Sequence, residues 1–139
     1  MHRAGYRLVI FSNEFLTRLK KPNAIQDAVN RKTRRVDDFL NHVGVPFEVF
    51  LATGKDKFRK PCTKDRIKEG ASCGGTRMWD LLLQDPFGLA WGEVDKAASF
   101  FVGDAAGRDR DVSDGDKLFA ESVGVPFFTP EGFFPRGAA

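Results

Sequence analysis

The sequence predicts an α/β fold, an alternation of buried strands and amphipathic helices, and three observations carry that expectation. Apolar runs of strand length recur at Tyr6 to Phe11, Val45 to Ala52 and Ala98 to Val102, rich in the β-branched and aromatic residues that suit a buried strand. Between the first two, Ile25, Ala28, Val29, Val36, Phe39, Leu40 and Val43 recur at three- and four-residue steps, the period of one helix face. The phrase Gly-Val-Pro-Phe occurs at Gly44 to Phe47 and again at Gly124 to Phe127. Two helices each released by a glycine into a strand are what an alternating sheet requires.

Taken in order, the first strand ends at Ser12-Asn13, whose side chains can hydrogen-bond, followed by Glu14. Read by itself this is a turn-forming pair. Phe15 to Pro22 is a loop in which Arg18, Lys20 and Lys21 crowd together. Such a loop can take a phosphodiester backbone, because each neutralised phosphate releases counterions, or it can simply be solvated. Asn23-Ala24-Ile25-Gln26 has the form of a capping box, so a helix is expected to begin at Asn23. Arg31 to Arg35 interleaves with that helix's apolar stripe, which fits an exposed face better than a nuclear address or a DNA patch.

Thr53 to Pro61 is polar and basic and closes on Arg59-Lys60-Pro61. Cys62 to Gly75 is charged, then glycine-rich; Met78, Leu81 and Leu82 follow on one side of a helix that Asp85-Pro86 stops. In that helix Trp79 reads as core. Phe87 to Lys96 is an irregular connector, and the strand after it ends abruptly at Gly103-Asp104. In an open α/β sheet ligands gather at the carboxyl ends of strands, so an acid there is a candidate for metal or phosphate chemistry; an Asp-containing turn is the plain alternative. Ser113 can cap the next helix, with Asp114 and Asp116 as acids at its positive end. Thr129-Pro130-Glu131 supplies a cap, a first-turn proline and a dipole-favoured acid for a last short helix.

Composition bounds the function classes. With 139 residues the chain is one small domain, and its 42% hydrophobic share suffices for a packed core. A net charge of +3 and a pI near 9.0 permit a nucleic-acid partner without requiring one. Cys62 and Cys73 have no C-x-x-C spacing, and His2 and His42 are scattered, which argues against zinc and for a reducing compartment. No apolar run is long enough to span a membrane and Met1-His2-Arg3 precedes no signal-peptide core. A soluble intracellular protein is expected.

Six blocks then combine: Leu8 to Glu14, Arg59-Lys60-Pro61, Met78 to Leu82, Ser99 to Arg108, Asp111-x-Ser113-x-x-Asp116 and Thr129-Pro130-Glu131. In this order they resemble the phosphatase domain of the polynucleotide kinase 3′-phosphatase family, a branch of the haloacid dehalogenase superfamily. The resemblance spans Gly5 to Phe134. It implies a Rossmann-like three-layer α/β sandwich over residues 1–134, a tail at 135–139, and an insertion at 62–75, since the flanking blocks are nearly adjacent in relatives. It also implies a magnesium-dependent hydrolase that removes 3′-phosphate from DNA strand breaks through an aspartyl-phosphate intermediate, in nuclear DNA repair, beside other repair proteins. By the same resemblance Ser12 and Asn13 bind a phosphate oxygen, Lys60 is the fixed cation that steadies the phosphoryl group, and Asp104 is a ligand of Mg2+. Arg18, Lys20, Lys21 and Arg108 are the candidates for DNA contact. Glu14 stands where relatives often carry Gln, and an acid beside a phosphate needs a cation or a turn outward.

One part is absent from the sequence. Relatives carry nucleophile and acid/base in an Asp-x-Asp-Gly-Thr block that closes a central strand, and no such block occurs here. Asp109-Arg110-Asp111 and Asp114-Gly115-Asp116 share the two-residue spacing but neither ends an apolar strand nor precedes Gly-Thr. The sandwich is therefore expected to lack its first, central strand, leaving two strand edges facing a gap. That predicts a piece of a longer protein, inactive alone. Two alternatives stand beside the DNA 3′-phosphatase: a non-enzymatic remnant that binds DNA ends, and a phosphatase of small metabolites. No Gly-x-x-x-x-Gly-Lys-Ser/Thr kinase loop is present.

Overall fold

The computed structural model describes residues 1–14, 16, 19–54, 58–60, 76–134 and 136. The expected DNA contact Arg18, the expected insertion at 62–75 and all of the expected tail except Arg136 lie outside them. The chain divides into two compact units, Met1–Lys55 and Asp56–Ala139, each built around one pair of parallel strands. The α/β expectation holds at this level: short parallel strands, each pair joined through a helix.

In the first unit, β1 (Val9–Asn13) runs parallel to β2 (Glu48–Ala52), with Val9 opposite Glu48 and Asn13 opposite Ala52. Parallel neighbours need a crossover, and the 22-residue helix α1 (Pro22–Val43) provides it. The sequence puts the end of this strand at Ser12-Asn13, and the ladder with β2 runs through Asn13, so the pair is strand rather than turn. Beyond it, the Glu14 N–H donates to the Ala52 carbonyl at 2.7 Å and the Leu16 N–H to Thr53 at 3.0 Å. Ser12 is thus held inside a strand. Phe11 and Phe50 pack with ring centroids 5.4 Å apart, while Glu48, on the buried face of β2, is met by the Arg7 guanidinium.

The capping box does not form. Lys21, in extended backbone, precedes the first turn, and Pro22 occupies the first helical position, where a residue with fixed φ and no N–H loses nothing. Gln26 donates instead to Asn30, one turn on, at 3.0 Å. Gly44 ends α1 as expected, at φ 72°. Among the described residues no helix is long and apolar enough to cross a membrane.

In the second unit, β3 (Phe101–Val102) is parallel to β4 (Phe127–Phe128). The strand expected from Ala98 is shorter: Lys96–Ala98 form a 3-10 turn whose amides at Ala97 and Ala98 are taken by the Asp95 carboxylate. The crossover is α3 (Gly115–Val123), which buries Phe119, Ala120 and Val123. Its start also differs from expectation, since Asp114 is the residue before the first turn and the Ser113 hydroxyl accepts the Gly115 N–H, at 3.2 Å. Helix α2 (Arg77–Leu83) contributes Met78, Trp79 and Leu82 to the core, with Trp79 buried as expected. The short α4 (Pro130–Phe133) is capped by Thr129, whose hydroxyl accepts from the Gly132 N–H.

Candidate functional site

Each unit carries part of the expected site: Ser12 and Asn13 belong to the first, and Lys60, Asp104 and Arg108 to the second.

In the first unit the Ser12 hydroxyl donates to Glu14 Oε1 at 2.8 Å, and Lys32 Nζ lies 2.6 Å from that same oxygen. The cation that Glu14 required is therefore Lys32. It had been grouped with the solvated basic face of α1, yet it sits at helical spacing with Ile25, Val29 and Val36, on the apolar stripe. It is also the one residue of Arg31 to Arg35 that is not fully exposed. A cation interrupting an apolar stripe was the available signal. Lys20 and Lys21 are exposed at the entry to α1.

In the second unit Lys60 is 7% exposed and donates to Asp116 Oδ1 at 2.7 Å. Its ammonium also lies 5.2 Å from the centroid of the Phe101 ring and 5.9 Å from that of Phe119, near enough for attraction to both π faces. The other Asp116 oxygen accepts the Ala105 N–H at 3.1 Å, while the Asp116 N–H returns to the Ala105 carbonyl at 3.0 Å. Asp116 is the acid in the first turn of α3 that the sequence predicts, and it is also a buried counterion that ties Lys60 to the turn after β3. Gly103 makes the approach possible: a Cβ there would stand 2.5 Å from that of Asp116.

That turn presents Asp104 to solvent at the carboxyl end of β3. Arg108 holds it from the other side. Its guanidinium donates to both oxygens of Asp111, at 2.8 and 3.0 Å, to Glu131 at 3.2 Å and to the Asp104 carbonyl at 3.3 Å. Asp111 further accepts the N–H groups of Ala106 and Arg108, at 3.1 and 3.0 Å. The guanidinium is the main reason that the Asp111 carboxyl falls to about 2, with these two amides adding to it against a partial-burial effect of opposite sign. Its hydrogen bonds to Asp111 and then to Glu131 hold the guanidinium firmly protonated. A DNA phosphate at Arg108 must compete with two carboxylates.

Whether Mg2+ fits can be judged from the oxygens. It keeps waters and takes one or two carboxylates with substrate phosphate. Asp104 is a suitable ligand of that kind, whereas Asp116 is committed to Lys60. Among the described residues no three His, Cys, Asp or Glu side chains converge as a ligand set.

A model of the family described as polynucleotide kinase 3 phosphatase matches residues 1–134. The chain belongs to that family. It is 41% identical over 136 residues to polynucleotide 3′-phosphatase ZDP of Arabidopsis thaliana, covering 96% of this chain and 18% of that protein. To the bifunctional polynucleotide phosphatase/kinase of Schizosaccharomyces pombe it is 35% identical over 134 residues, with 96% of this chain and 28% of that one covered. An uncharacterized 20.8 kDa protein of Autographa californica nuclear polyhedrosis virus is 30% identical over 139 residues, covering 96% and 64%. The chain thus spans less than two thirds of the length of each of these relatives. Membership in the polynucleotide kinase 3 phosphatase family agrees with the six sequence blocks, two of which supply the Lys60 to Asp116 pair.

Proposed function

We propose that this chain is the phosphate-binding part of a DNA 3′-phosphatase of the haloacid dehalogenase type, acting on 3′-phosphate ends in nuclear DNA repair. The observation that carries the reading is Lys60, a buried cation paired with Asp116, which is itself bonded to the turn that exposes Asp104. A lysine ammonium is a compact point charge, and one kept in place before substrate arrives needs no reorganisation when a phosphoryl group develops charge. The family names of relatives supply the substrate class.

In this reading the Ser12 hydroxyl donates to one phosphate oxygen and the Asn13 side chain to another. Lys60 offsets charge on the phosphoryl group and on the acid that attacks it. Asp104 is a Mg2+ ligand, and the ion when bound neutralises phosphate charge. Attack on phosphorus needs a carboxylate nucleophile, with a second acid to protonate the departing 3′ oxygen. Neither role is available from Asp111 or Asp116, both engaged in ion pairs. In this reading the nucleophile belongs to an Asp-x-Asp-Gly-Thr strand, a block that this sequence does not carry.

The absence of that block from the sequence favours a second reading, a DNA-end-binding protein without turnover. One experiment separates them. Fluorescence anisotropy compares oligonucleotides ending in 3′-phosphate and 3′-hydroxyl, and phosphate release is followed for this chain and for any longer product that carries the block. The first reading expects preference for the 3′-phosphate, its loss in Lys60→Met, and release by the longer product. Preference without release from either favours the second. Equal binding of both ends, or sugar phosphates competing better than DNA ends, overturns both.

A further inference from the structure

The Ser12, Glu14 and Lys32 cluster has a chemistry of its own. One carboxylate oxygen, Glu14 Oε1, receives both the Ser12 hydroxyl at 2.8 Å and the Lys32 ammonium at 2.6 Å. A hydroxyl and an ammonium converging on a single anionic oxygen are the donors that a phosphate oxygen would meet in the same place. The backbone of Glu14 is fastened to Ala52, so the carboxylate can turn away while the main chain stays.

We propose that Lys32 is a phosphate-binding residue and that Glu14 is an internal anion occupying its site, displaced when the terminal phosphate of a polynucleotide binds to Ser12 and Lys32. The inference rests on the phosphate-binding reading of Ser12 and adds to it a second cation and a competitor. Two features favour displacement over a permanent ion pair. The Lys32 and Glu14 side chains are 30% and 20% exposed, and a solvent-reached pair of that kind contributes little that a better ligand could not replace. A phosphate monoester, moreover, carries more charge than one carboxylate and offers three acceptor oxygens. Lys32 also comes from a helix that anchors it on its apolar stripe, with Val29 and Val36 one turn to either side, which limits its freedom before binding.

The test is Glu14→Gln, nearly the same shape without the charge. It is expected to tighten binding of a 3′-phosphorylated oligonucleotide about tenfold, the scale of one charge-assisted hydrogen bond freed from competition. A 3′-hydroxyl oligonucleotide should bind as before. Adding Lys32→Ala or Lys32→Met to Glu14→Gln should abolish the gain and reduce the slope of log affinity against log salt by roughly 0.7 to 0.9. Circular dichroism and thermal melting check that each variant folds. Inorganic phosphate titrated into Glu14→Gln should shift the backbone amide resonances of Ser12 and of position 14, and fail to do so once Lys32 is replaced. This last measurement stands even if the wild-type chain fails to prefer 3′-phosphate ends, so the two readings fail separately. No tightening in Glu14→Gln, an equal gain on both oligonucleotides, no effect of removing Lys32, or phosphate shifts that ignore Lys32 would each overturn the proposal.

Discussion

Lys60 and Asp116 are 56 residues apart in sequence and 2.7 Å apart in the fold, both nearly removed from solvent. Removing one partner of such a pair leaves a buried charge uncompensated, which typically costs about 3 to 5 kcal/mol. Asp116→Ala should therefore destabilise the chain by roughly that amount, and Lys60→Met with Asp116→Leu should recover most of it. Urea unfolding of Lys60→Met, Asp116→Leu and the double variant that combines them measures the coupling. If Asp116→Ala melts like the wild type, the pair does not hold Lys60.

Gly103 offers an independent approach to the same contact. Its conformation is open to any residue, but the space is not: a Cβ would reach Asp116 Cβ, Cγ and Oδ2 at 2.5 to 2.6 Å. Gly103→Ala must push Asp116 away from Lys60 and from the Ala105 amide, an overpacking effect of about 1 to 3 kcal/mol. Thermal melting checks the size. The same variant should weaken binding of a 3′-phosphorylated oligonucleotide, since Lys60 loses its anchor.

Much of this was legible because it is local. The period of Ile25 to Val43, the glycine stops at Gly44 and Gly124, and the cap at Thr129 each follow from neighbours within one or two turns, and each appears in the fold. Where two local signals competed, sequence reading chose the weaker one. The capping form of Asn23 to Gln26 lost to Pro22, because a proline suited to the first helical position starts the helix one residue earlier and puts Asn23 inside its first turn. The short reach of β3 has a similar origin: Asp95 captures the amides of Ala97 and Ala98 before they can join a ladder. Lys32 and Asp116 were hidden for another reason. A basic cluster and a helix-end acid have sufficient local explanations, and only the crossover that returns α1 to β1, or α3 to β3, brings them to Glu14 and Lys60.

Asp111 makes the turn after β3 sensitive to acid. Its pKa is lowered from 3.8 to about 2 in the folded chain, principally by Arg108. A carboxyl whose folded pKa lies below its unfolded one binds fewer protons when folded, so stability rises with pH across that window. The contribution is complete above about 4 and disappears as pH falls toward about 2. Glu131, lowered first by its own backbone amide and then by Arg108, acts in the same direction. Asp111→Asn should therefore flatten part of the acid limb of a plot of stability against pH, measured by urea unfolding in steps between those values. It should also increase amide hydrogen exchange at Ala106 and Arg108, whose N–H groups lose an anionic acceptor. Exchange unchanged at both positions would mean that Asp111 does not order the turn.

Phe119 tests whether the apolar floor under Lys60 matters apart from the ion pair. It is 2% exposed, lies 5.4 Å from the Phe101 ring and faces the Lys60 ammonium at 5.9 Å. Phe119→Ala should destabilise by about 3 to 5 kcal/mol, the usual range for a buried aromatic truncated to a methyl. Phe119→Leu keeps most of the volume and removes the π face, so its effect on stability should stay below about 1.5 kcal/mol. What that variant loses beyond packing is the cation–π attraction, at least about 0.5 kcal/mol. Comparing Phe119→Leu in the wild-type and Lys60→Met backgrounds isolates it: a penalty that persists without the ammonium is packing, and one that vanishes belongs to Lys60.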